Sequence, residues 1–247
     1  MGGDLLLLAA IGFLAQLVDG ALGMAFGVIS TSAMLTLGLP PAHASAIAHT
    51  AEIFTTATSG ASHVYFRNVD WRLVLRLGIA GVLGAVLGAW VLSNVEADIA
   101  RPFVSAYLLA IGALILFRAL RRRPAEDRSL SLAPPLGFVG GFLDASGGGG
   151  WGPVVSSTLI GSGHAPRTVV GSVNTTEFFV TTAAATTFFT QLGMTPVYEL
   201  IALVAGGMIA APFGGWMVKR LPPRLLMTLV GAVVCLLAAS QLVRALL

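Results

Sequence analysis

Hydrophobic residues run along this chain in long blocks separated by short polar stretches. A helix needs about 20 apolar residues to cross a bilayer, and four blocks have that length. Two longer segments are rich in alanine and threonine, and four shorter blocks come in pairs. The four apolar blocks lie at 73–93, 102–120, 197–218 and 225–247, the longer segments at 42–65 and 166–190, and the pairs at 5–18 with 24–39 and at 130–143 with 153–163. The pattern predicts six spanning helices and two pairs of short helices.

A glycine-rich break joins the two short blocks of each pair. Asp19-Gly20-Ala21-Leu22-Gly23 forms the first break, and the second runs from Asp144 through four glycines to Trp151-Gly152-Pro153. Non-helical backbone persists at membrane depth only where protein or a water-filled cavity surrounds it. Each pair is therefore predicted to form either a re-entrant hairpin or a broken helix inside the protein, and both interpretations fit the sequence.

The second half of the chain repeats the first. Sliding the sequence by 125 positions aligns residues 12–65 with 137–190 without a gap, and the matches include acids, glycines and prolines. The identical pairs include Gly12/Gly137, Asp19/Asp144, Gly23/Gly148, Gly27/Gly152, Pro41/Pro166, Thr50/Thr175 and Glu52/Glu177. We therefore predict two repeats, 1–120 and 130–247, joined by a basic linker at 121–129. Each repeat crosses the membrane an odd number of times, three or five, so the two should be inverted relative to each other.

The composition agrees with a membrane protein. Hydrophobic residues make up 56% of the chain and charged residues only 10%, whereas soluble domains usually carry about 25% charged residues. The class is therefore an all-α polytopic membrane protein embedded in the lipid bilayer. A net charge of +3 and a pI near 9.6 would also fit a nucleic-acid partner, but the placement of the basic residues gives a better explanation, and we expect no such partner.

The basic residues predict the orientation, because positively charged loops stay in the cytoplasm. With an odd number of spans per repeat, twelve basic residues fall on one side and two, Arg101 and Arg244, on the other. We predict a multi-pass protein of the cytoplasmic (inner) membrane with both termini outside. The cytoplasmic group consists of Arg67, Arg72, Arg76, Arg118, Arg121, Arg122, Arg123, Arg128, Arg167, Lys219, Arg220 and Arg224.

Two carboxyl groups, Glu52 and Glu177, lie within the Ala- and Thr-rich segments. A carboxylate inside a membrane is costly unless it faces a partner or a cavity. Polar residues recur around both at helical spacing: Ser45, His49, Glu52, Thr56, Ser59 and His63 in the first segment, and Asn174, Glu177 and Thr181 in the second. These faces form either a transport pathway or a polar seam between two helices. Because desolvation favours a neutral carboxyl group, the pathway interpretation makes Glu52 or Glu177 a carrier of a coupling proton.

The glycine break of the second half suggests an anion site. Pro153 suits the first turn of a helix, whose free N–H groups would attract an anion, and glycines allow the backbone to approach a ligand closely. The alternative is tight packing or a kink. The break is not a nucleotide-type phosphate loop, since no Lys-Ser/Thr follows it. The predicted substrate contacts are Gly148, Gly149, Gly150, Trp151, Asn174 and Thr175, with His49 and Thr50 from the first half.

Asp19 and Asp144 end the first short helix of each half. They are either ion-coupling acids or caps of the following helix, and the sequence leaves both interpretations open. The four histidines and the single Cys235 have no metal-ligand spacing, and no nucleophile lies beside a base. We therefore predict no metal site, no cofactor and no enzyme activity.

The chain resembles the TauE/SafE family of sulfite exporters. The resemblance covers nearly the whole chain and rests on the stretches LDASGGGGWGPV and NTTEFF, with weaker copies VDGALGMAFGVI and HTAEIF. It implies a permease for sulfite, sulfonates or related sulfur-containing anions, with both motif regions near the transport path. The first copy departs from the motif, with Val28 in place of Pro153, His49 in place of Asn174, and Met24 and Ala25 in place of two glycines.

From the sequence we predict a secondary transporter of a small sulfur oxyanion or organosulfonate that works by alternating access. No ATP-binding motif is present, so a proton, cation or substrate gradient would drive transport. An anion channel and a non-transporting membrane scaffold are the alternatives, and an oligomer is possible. Neither the transported anion nor the direction of transport follows from the sequence.

Overall fold

The computed structural model describes residues 2–120, 130–193, 197–218 and 223–246, and all regular structure in these ranges is helical. The first half contains α1 (Gly2–Leu22), α2 (Phe26–Thr36), α3 (Pro41–Tyr65), α4 (Trp71–Ser93) and α5 (Ala97–Leu120). The second half contains α6 (Ala133–Gly147) after a 3-10 turn at Leu130–Leu132, a π-helical turn at Gly152–Ser156 that continues into α7 (Ser157–Gly161), then α8 (Pro166–Leu192), α9 (Val197–Val218) and α10 (Pro223–Leu246).

Three helices of the described residues are long and apolar enough to cross a membrane: Trp71–Ser93, Ala97–Leu120 and Arg224–Ala245. They correspond to the predicted spans at 73–93, 102–120 and 225–247, and α9 has the predicted bounds 197–218. α3 and α8 contain 25 and 27 residues, which at 1.5 Å per residue is roughly 37–40 Å. Their many threonines keep their hydropathy below that of the other spans, but their length suffices to cross.

The short helices differ from their predicted bounds. α1 continues past Val18 to Leu22, and α6 continues past Leu143 to Gly147. The two aspartates therefore lie in the last turns of these helices and do not end them, because glycines at 23 and 148, with φ of +66° and +76°, are the residues that turn the chain. With 21 residues α1 is almost twice as long as α2, which has 11. Pro153 lies in the first turn of its helix, as predicted.

Helices pack mainly on helices of the other half. α1 packs on α9, α4 on α6, α3 on α8 and α5 on α10. Small residues allow these approaches: a Cβ placed on Gly12 would meet the backbone of Leu203, and one placed on Gly137 would meet the backbone of Leu77. Gly12 and Gly137 correspond in the sequence repeat, and the contacts they make correspond as well. The two halves therefore interlock.

Basic residues contact the ends of the helices. Arg167 Nε lies 2.5 Å from Asn68 Oδ1, beside the N-terminus of α4. Near the other end of α4, the Arg101 guanidinium donates to the carbonyl oxygens of Leu35, Gly38 and Leu39, at the C-terminus of α2, where a cation is favourable. Arg167 and Arg101 belong to the two different groups into which the sequence analysis divides the basic residues. The predicted linker 121–129, and Lys219 and Arg220, lie outside the described residues.

Candidate functional site

The glycine break of the second half meets the first turn of α2, which follows the first break, backbone against backbone. A Cβ placed on Gly149 would meet the backbone of Gly27 and Val28, and one placed on Gly27 would lie 3.0 Å from the Cα of Gly149. Gly149 and Gly150 have φ of +133° and +144°, a region that L side chains rarely adopt. The corresponding break in the first half has Ala25 at φ +129°. Glycine is therefore required at this crossing because of both the backbone conformation and the lack of space.

Each break is held by an aspartate from the preceding helix. Asp144 Oδ1 accepts a hydrogen bond from the Trp151 N–H at 2.9 Å, and Asp19 Oδ1 accepts one from the Phe26 N–H at 3.4 Å. Phe26 and Trp151 are equivalent in the repeat, so the same cap forms in both halves. This geometry favours the capping interpretation of the two acids. It also corrects one expectation, since the Trp151 N–H is bound to a carboxylate and is not free for a ligand.

The second aspartate also joins the two halves. Asp144 Oδ2 lies 3.1 Å from His49 Nε2, and both side chains are buried. His49 Nδ1 lies 2.8 Å from the backbone carbonyl of Ser45, whose own hydroxyl donates to the carbonyl of Ala145 at 2.9 Å. α3 of the first half is thus fastened to the break of the second half. Because His49 and Asp144 are 95 residues apart, their sequence spacing gave no sign of this pair.

The first break has no equivalent pair. Asn174 of α8 stands at the position that corresponds to His49, and it is buried close to Gly23 of the first break: a Cβ on Gly23 would lie 3.5 Å from Asn174 Nδ2. Its Oδ1 has no hydrogen-bond partner among the described residues. The site is therefore asymmetric, with the second break fastened by an ionisable pair and the first break beside a partly unsatisfied amide.

Four buried carboxyl groups share the centre of the protein. Glu52 Oε1 would lie 2.8 Å from a Cβ on Gly27, so Glu52 reaches the crossing of α2 and the second break, and its Oε2 has no hydrogen-bond partner among the described residues. Glu52 and Glu177 lie within electrostatic range of each other, and each lies within range of Asp19 and Asp144. An anion approaching this cluster would be repelled by every ionised member. Anion binding here therefore requires that the cluster take up protons or a cation.

The threonines predicted as substrate contacts use their hydroxyl protons within their own helices. Thr50 donates to the carbonyl of Ala46 at 2.6 Å, and Thr175 donates to that of Gly171 at 2.7 Å. Thr175 also lines a cavity of about 240 Å³ between α3 and α8, whose lining includes no residue of the breaks. Neither hydroxyl therefore has a proton left to donate to a ligand at the breaks.

Trp151 packs as a core residue. Its side chain is fully buried, its Nε1 donates to the carbonyl of Val173 at 3.3 Å, and its ring lies against Gly81 of α4. The structure thus brings together Gly148–Gly150, Asp144, His49 and Glu52, and directs the indole of Trp151 away from them. It also adds two residues that the sequence analysis missed, Thr31 and Tyr107, which contact the glycines of the second break. Tyr107 lies in an apolar span, and Thr31 lies in the short polar run Ser30-Thr31-Ser32 without helical periodicity, so the sequence pattern indicated neither as a site residue.

No metal centre is apparent: in the part of the chain that the structure describes, no three His, Cys, Asp or Glu side chains are placed to hold a metal ion. The four carboxyl groups therefore influence one another electrostatically, but no three of them are placed to coordinate one ion among the described residues.

Comparisons with known proteins identify relatives of the whole chain. The sequence model of the family described as Sulfite exporter TauE/SafE matches residues 8–241. A Bacillus subtilis (strain 168) protein described as "Probable membrane transporter protein YtnM" is 46% identical over 248 residues, which cover 97% of this chain and 83% of the relative. A Haemophilus influenzae protein described as "Probable membrane transporter protein" is 30% identical over 173 residues, 65% of this chain and 64% of the relative. No solved structure matches the chain.

Proposed function

Since this chain belongs to the TauE/SafE sulfite exporter family, we propose that it is a secondary transporter of sulfite, an organosulfonate or a related small sulfur oxyanion in the cytoplasmic membrane. The family and the relatives described as membrane transporters support transport across a membrane. The choice of substrate follows the description of the family, and the choice of a carrier follows from the architecture discussed next.

One observation carries the mechanism: the glycine break of the second half crosses the first turn of α2, which follows the break of the first half, backbone on backbone at Gly149 and Gly27, beside Glu52. In many carriers, broken helices of two inverted repeats meet in this way at a substrate site near the membrane midplane. We propose that residues 1–120 and 130–247 are inverted repeats and that the anion binds at this crossing. Movement of the helices around this crossing would then expose the site to each side in turn.

The buried acids supply the coupling in this proposal. Binding an anion beside Asp19, Glu52, Asp144 and Glu177 costs electrostatic energy unless protons neutralise part of the cluster. Proton uptake and anion uptake would therefore be linked. Glu177 is the stronger candidate for the proton carrier because His49 lies within electrostatic range of Glu52, whereas, among the described residues, the charged groups that act on Glu177 are all carboxyl groups. Glu177 also lies one helical turn from Asn174.

Neutral variants of the acids test this coupling. In proteoliposomes, Glu177→Gln is expected to retain sulfite binding, lose the pH dependence of sulfite flux, and lose proton-driven accumulation while still exchanging substrate. The amide mimics the protonated carboxyl group and cannot release a proton. Glu52→Gln is the parallel variant at the crossing, and Glu96→Gln, at an exposed position outside the helices, is the control. A wild-type pH profile in both buried variants would make the acids structural hydrogen-bonding groups.

The same vesicles distinguish a carrier from the two alternatives. Labelled sulfite should exchange faster when unlabelled sulfite is present on the opposite side. In a carrier, the binding site reorients across the membrane faster when it is loaded with substrate than when it is empty. A channel would show no such stimulation. A non-transporting scaffold would show neither flux nor stabilisation of the purified protein by sulfite, sulfate, thiosulfate or sulfonates.

The proposed orientation has its own test. In a Cys235→Ser background, Ala125→Cys is expected to be protected from a membrane-impermeant thiol reagent added to intact cells, whereas Gly2→Cys and Leu247→Cys should be labelled. The expectation follows from the twelve-to-two distribution of basic residues. Labelling of position 125 alone would contradict the orientation, whereas labelling of position 125 together with the termini would contradict the inverted arrangement of the halves.

A further inference from the structure

Two hydroxyl groups contact the second glycine break and have no partner of their own. Tyr107, on α5, directs its hydroxyl at Gly150, where an added Cβ would collide with it. Thr31, on α2, lies against Gly148, where an added Cβ would be 3.0 Å from its Oγ1. Both oxygen atoms are buried, and neither has a hydrogen-bond partner among the described residues.

Thr31 differs from the other threonines around the site. Thr50, Thr56, Thr175 and Thr181 each donate to the carbonyl four residues earlier in their own helices. Thr31 lies within α2, whose backbone offers the same kind of acceptor, yet its fully buried hydroxyl makes no such bond. Its proton is therefore available to a ligand, whereas those of Thr50 and Thr175 are not.

The surroundings of Tyr107 offer its hydroxyl no substitute partner. Its ring packs on Gly147 and forms part of the wall of a cavity of about 490 Å³ between α4, α5 and α6, which is lined almost wholly by apolar residues. The oxygen itself is directed away from water, towards Gly150. A buried hydroxyl without a partner has lost its hydrogen bonds to water and gained none in return, and natural proteins keep few such groups without a reason.

The second break is therefore flanked by two unused donors, one beside Gly148 and one beside Gly150. An oxyanion with three acceptor oxygens can accept from both at once, and hydrogen bonds to charged acceptors are the strong ones. We propose that the hydroxyls of Tyr107 and Thr31 are the substrate-recognising donors of this protein and that they bind two oxygens of a sulfite or sulfonate group at Gly148–Gly150. The proposal rests on the proposed function and assigns its substrate contacts to residues outside the sequence motifs.

Neutral hydroxyl donors also suit a site in which carboxyl groups repel the anion. The Trp151 N–H is already bound to Asp144, and Thr50 and Thr175 have no free proton, so most of the donors expected from the sequence are engaged. Neutral hydroxyls attract an anion without introducing a further buried charge. Protonation of the nearby carboxyl groups is still needed to remove their repulsion of the anion.

Tyr107→Phe and Thr31→Val remove only the hydroxyls and keep the shapes of the side chains. We expect the Kd for sulfite, measured by titration calorimetry on protein in nanodiscs, to rise roughly ten- to a hundredfold in each variant, the range for a lost hydrogen bond to a charged group. The melting temperature without ligand should stay the same or rise, because an unpartnered polar group has been removed. Thr31→Ser, which retains a hydroxyl, should bind like the wild type.

Exposed positions provide matched controls. Tyr65→Phe and Thr58→Val remove hydroxyls from exposed residues of α3 and should leave the Kd unchanged. Affinities within twofold of the wild type in both Tyr107→Phe and Thr31→Val would overturn the proposal while leaving anion transport intact. A wild-type protein that shows no saturable binding of sulfite, sulfate or methanesulfonate would overturn the proposed function itself, and with it this assignment.

Discussion

Replacing Gly149 with valine is expected to abolish transport and to lower the melting temperature of the protein. The new side chain would collide with the backbone of Gly27 and Val28 in the opposite half, and neither backbone can rotate away as a side chain can. The φ of +133° at this position adds roughly 1–3 kcal/mol of strain. Overpacking adds a similar cost, so the two halves can no longer close on each other.

A variant at a second glycine separates the effect of backbone strain from the effect of the collision. Gly38 has a φ of +91° but nothing within 4 Å of an added Cβ. Gly38→Val therefore suffers the strain without the collision, and it should transport sulfite nearly as fast as the wild type with a modest loss of stability. Flux in proteoliposomes and thermal melting in detergent give both readouts. Wild-type flux and stability in Gly149→Val would show that the second break does not meet α2 as described.

The reason for this expected loss differs from the one the sequence suggested. The sequence leaves two interpretations of the glycines open, namely close approach of a ligand and tight packing or a kink, and the expected loss of transport rested on the first. In the structure, the space at Gly149 is filled by the backbone of the other half, and the unused donors lie beside Gly148 and Gly150. A glycine run indicates close approach, but the sequence cannot say whether a ligand or a neighbouring chain segment makes it.

Features of the fold that depend on long runs of residues were predictable from the sequence. The spans at 73–93, 102–120 and 225–247 follow from runs of apolar residues, which a bilayer requires whatever the tertiary packing. The repeat was predictable because acids, glycines and prolines recur in step. Asp19 and Asp144 do form equivalent caps in the structure.

Features that depend on distant contacts were not predictable. The bond between His49 and Asp144 joins residues 95 positions apart, and Tyr107 reaches the break from within an apolar span whose periodicity is uninformative. The ends of α1 and α6 were also missed, because an aspartate that folds its carboxylate forward onto the next helix need not end its own helix. Trp151 was placed with the ligand contacts because it adjoins the glycines, yet its ring packs against α4.

Replacing Asp144 with alanine is expected to destabilise the protein far more than the same change at Asp19. Both variants lose a cap, which typically costs about 0.5–2 kcal/mol. Asp144→Ala in addition leaves His49 fully buried without its partner, and breaking a buried pair costs about 3–5 kcal/mol. Asp19 has no such partner among the described residues. Asp19→Ala therefore measures the cost of losing an equivalent cap without the loss of a buried pair.

A double-variant cycle isolates the pair from the cap. His49→Asn installs the residue that the second half carries at the equivalent position, Asn174, and removes the group that needs a charged partner. The destabilisation by Asp144→Ala should therefore be smaller in the His49→Asn background, with a coupling of roughly 0.5–3 kcal/mol. Denaturant titration in micelles measures each free energy of unfolding. Equal losses of unfolding free energy in Asp19→Ala and Asp144→Ala, with no coupling to His49, would contradict this prediction. They would mean that Asp144 acts only as a helix cap and that its contact with His49 does not stabilise the packing of α3 on the second break.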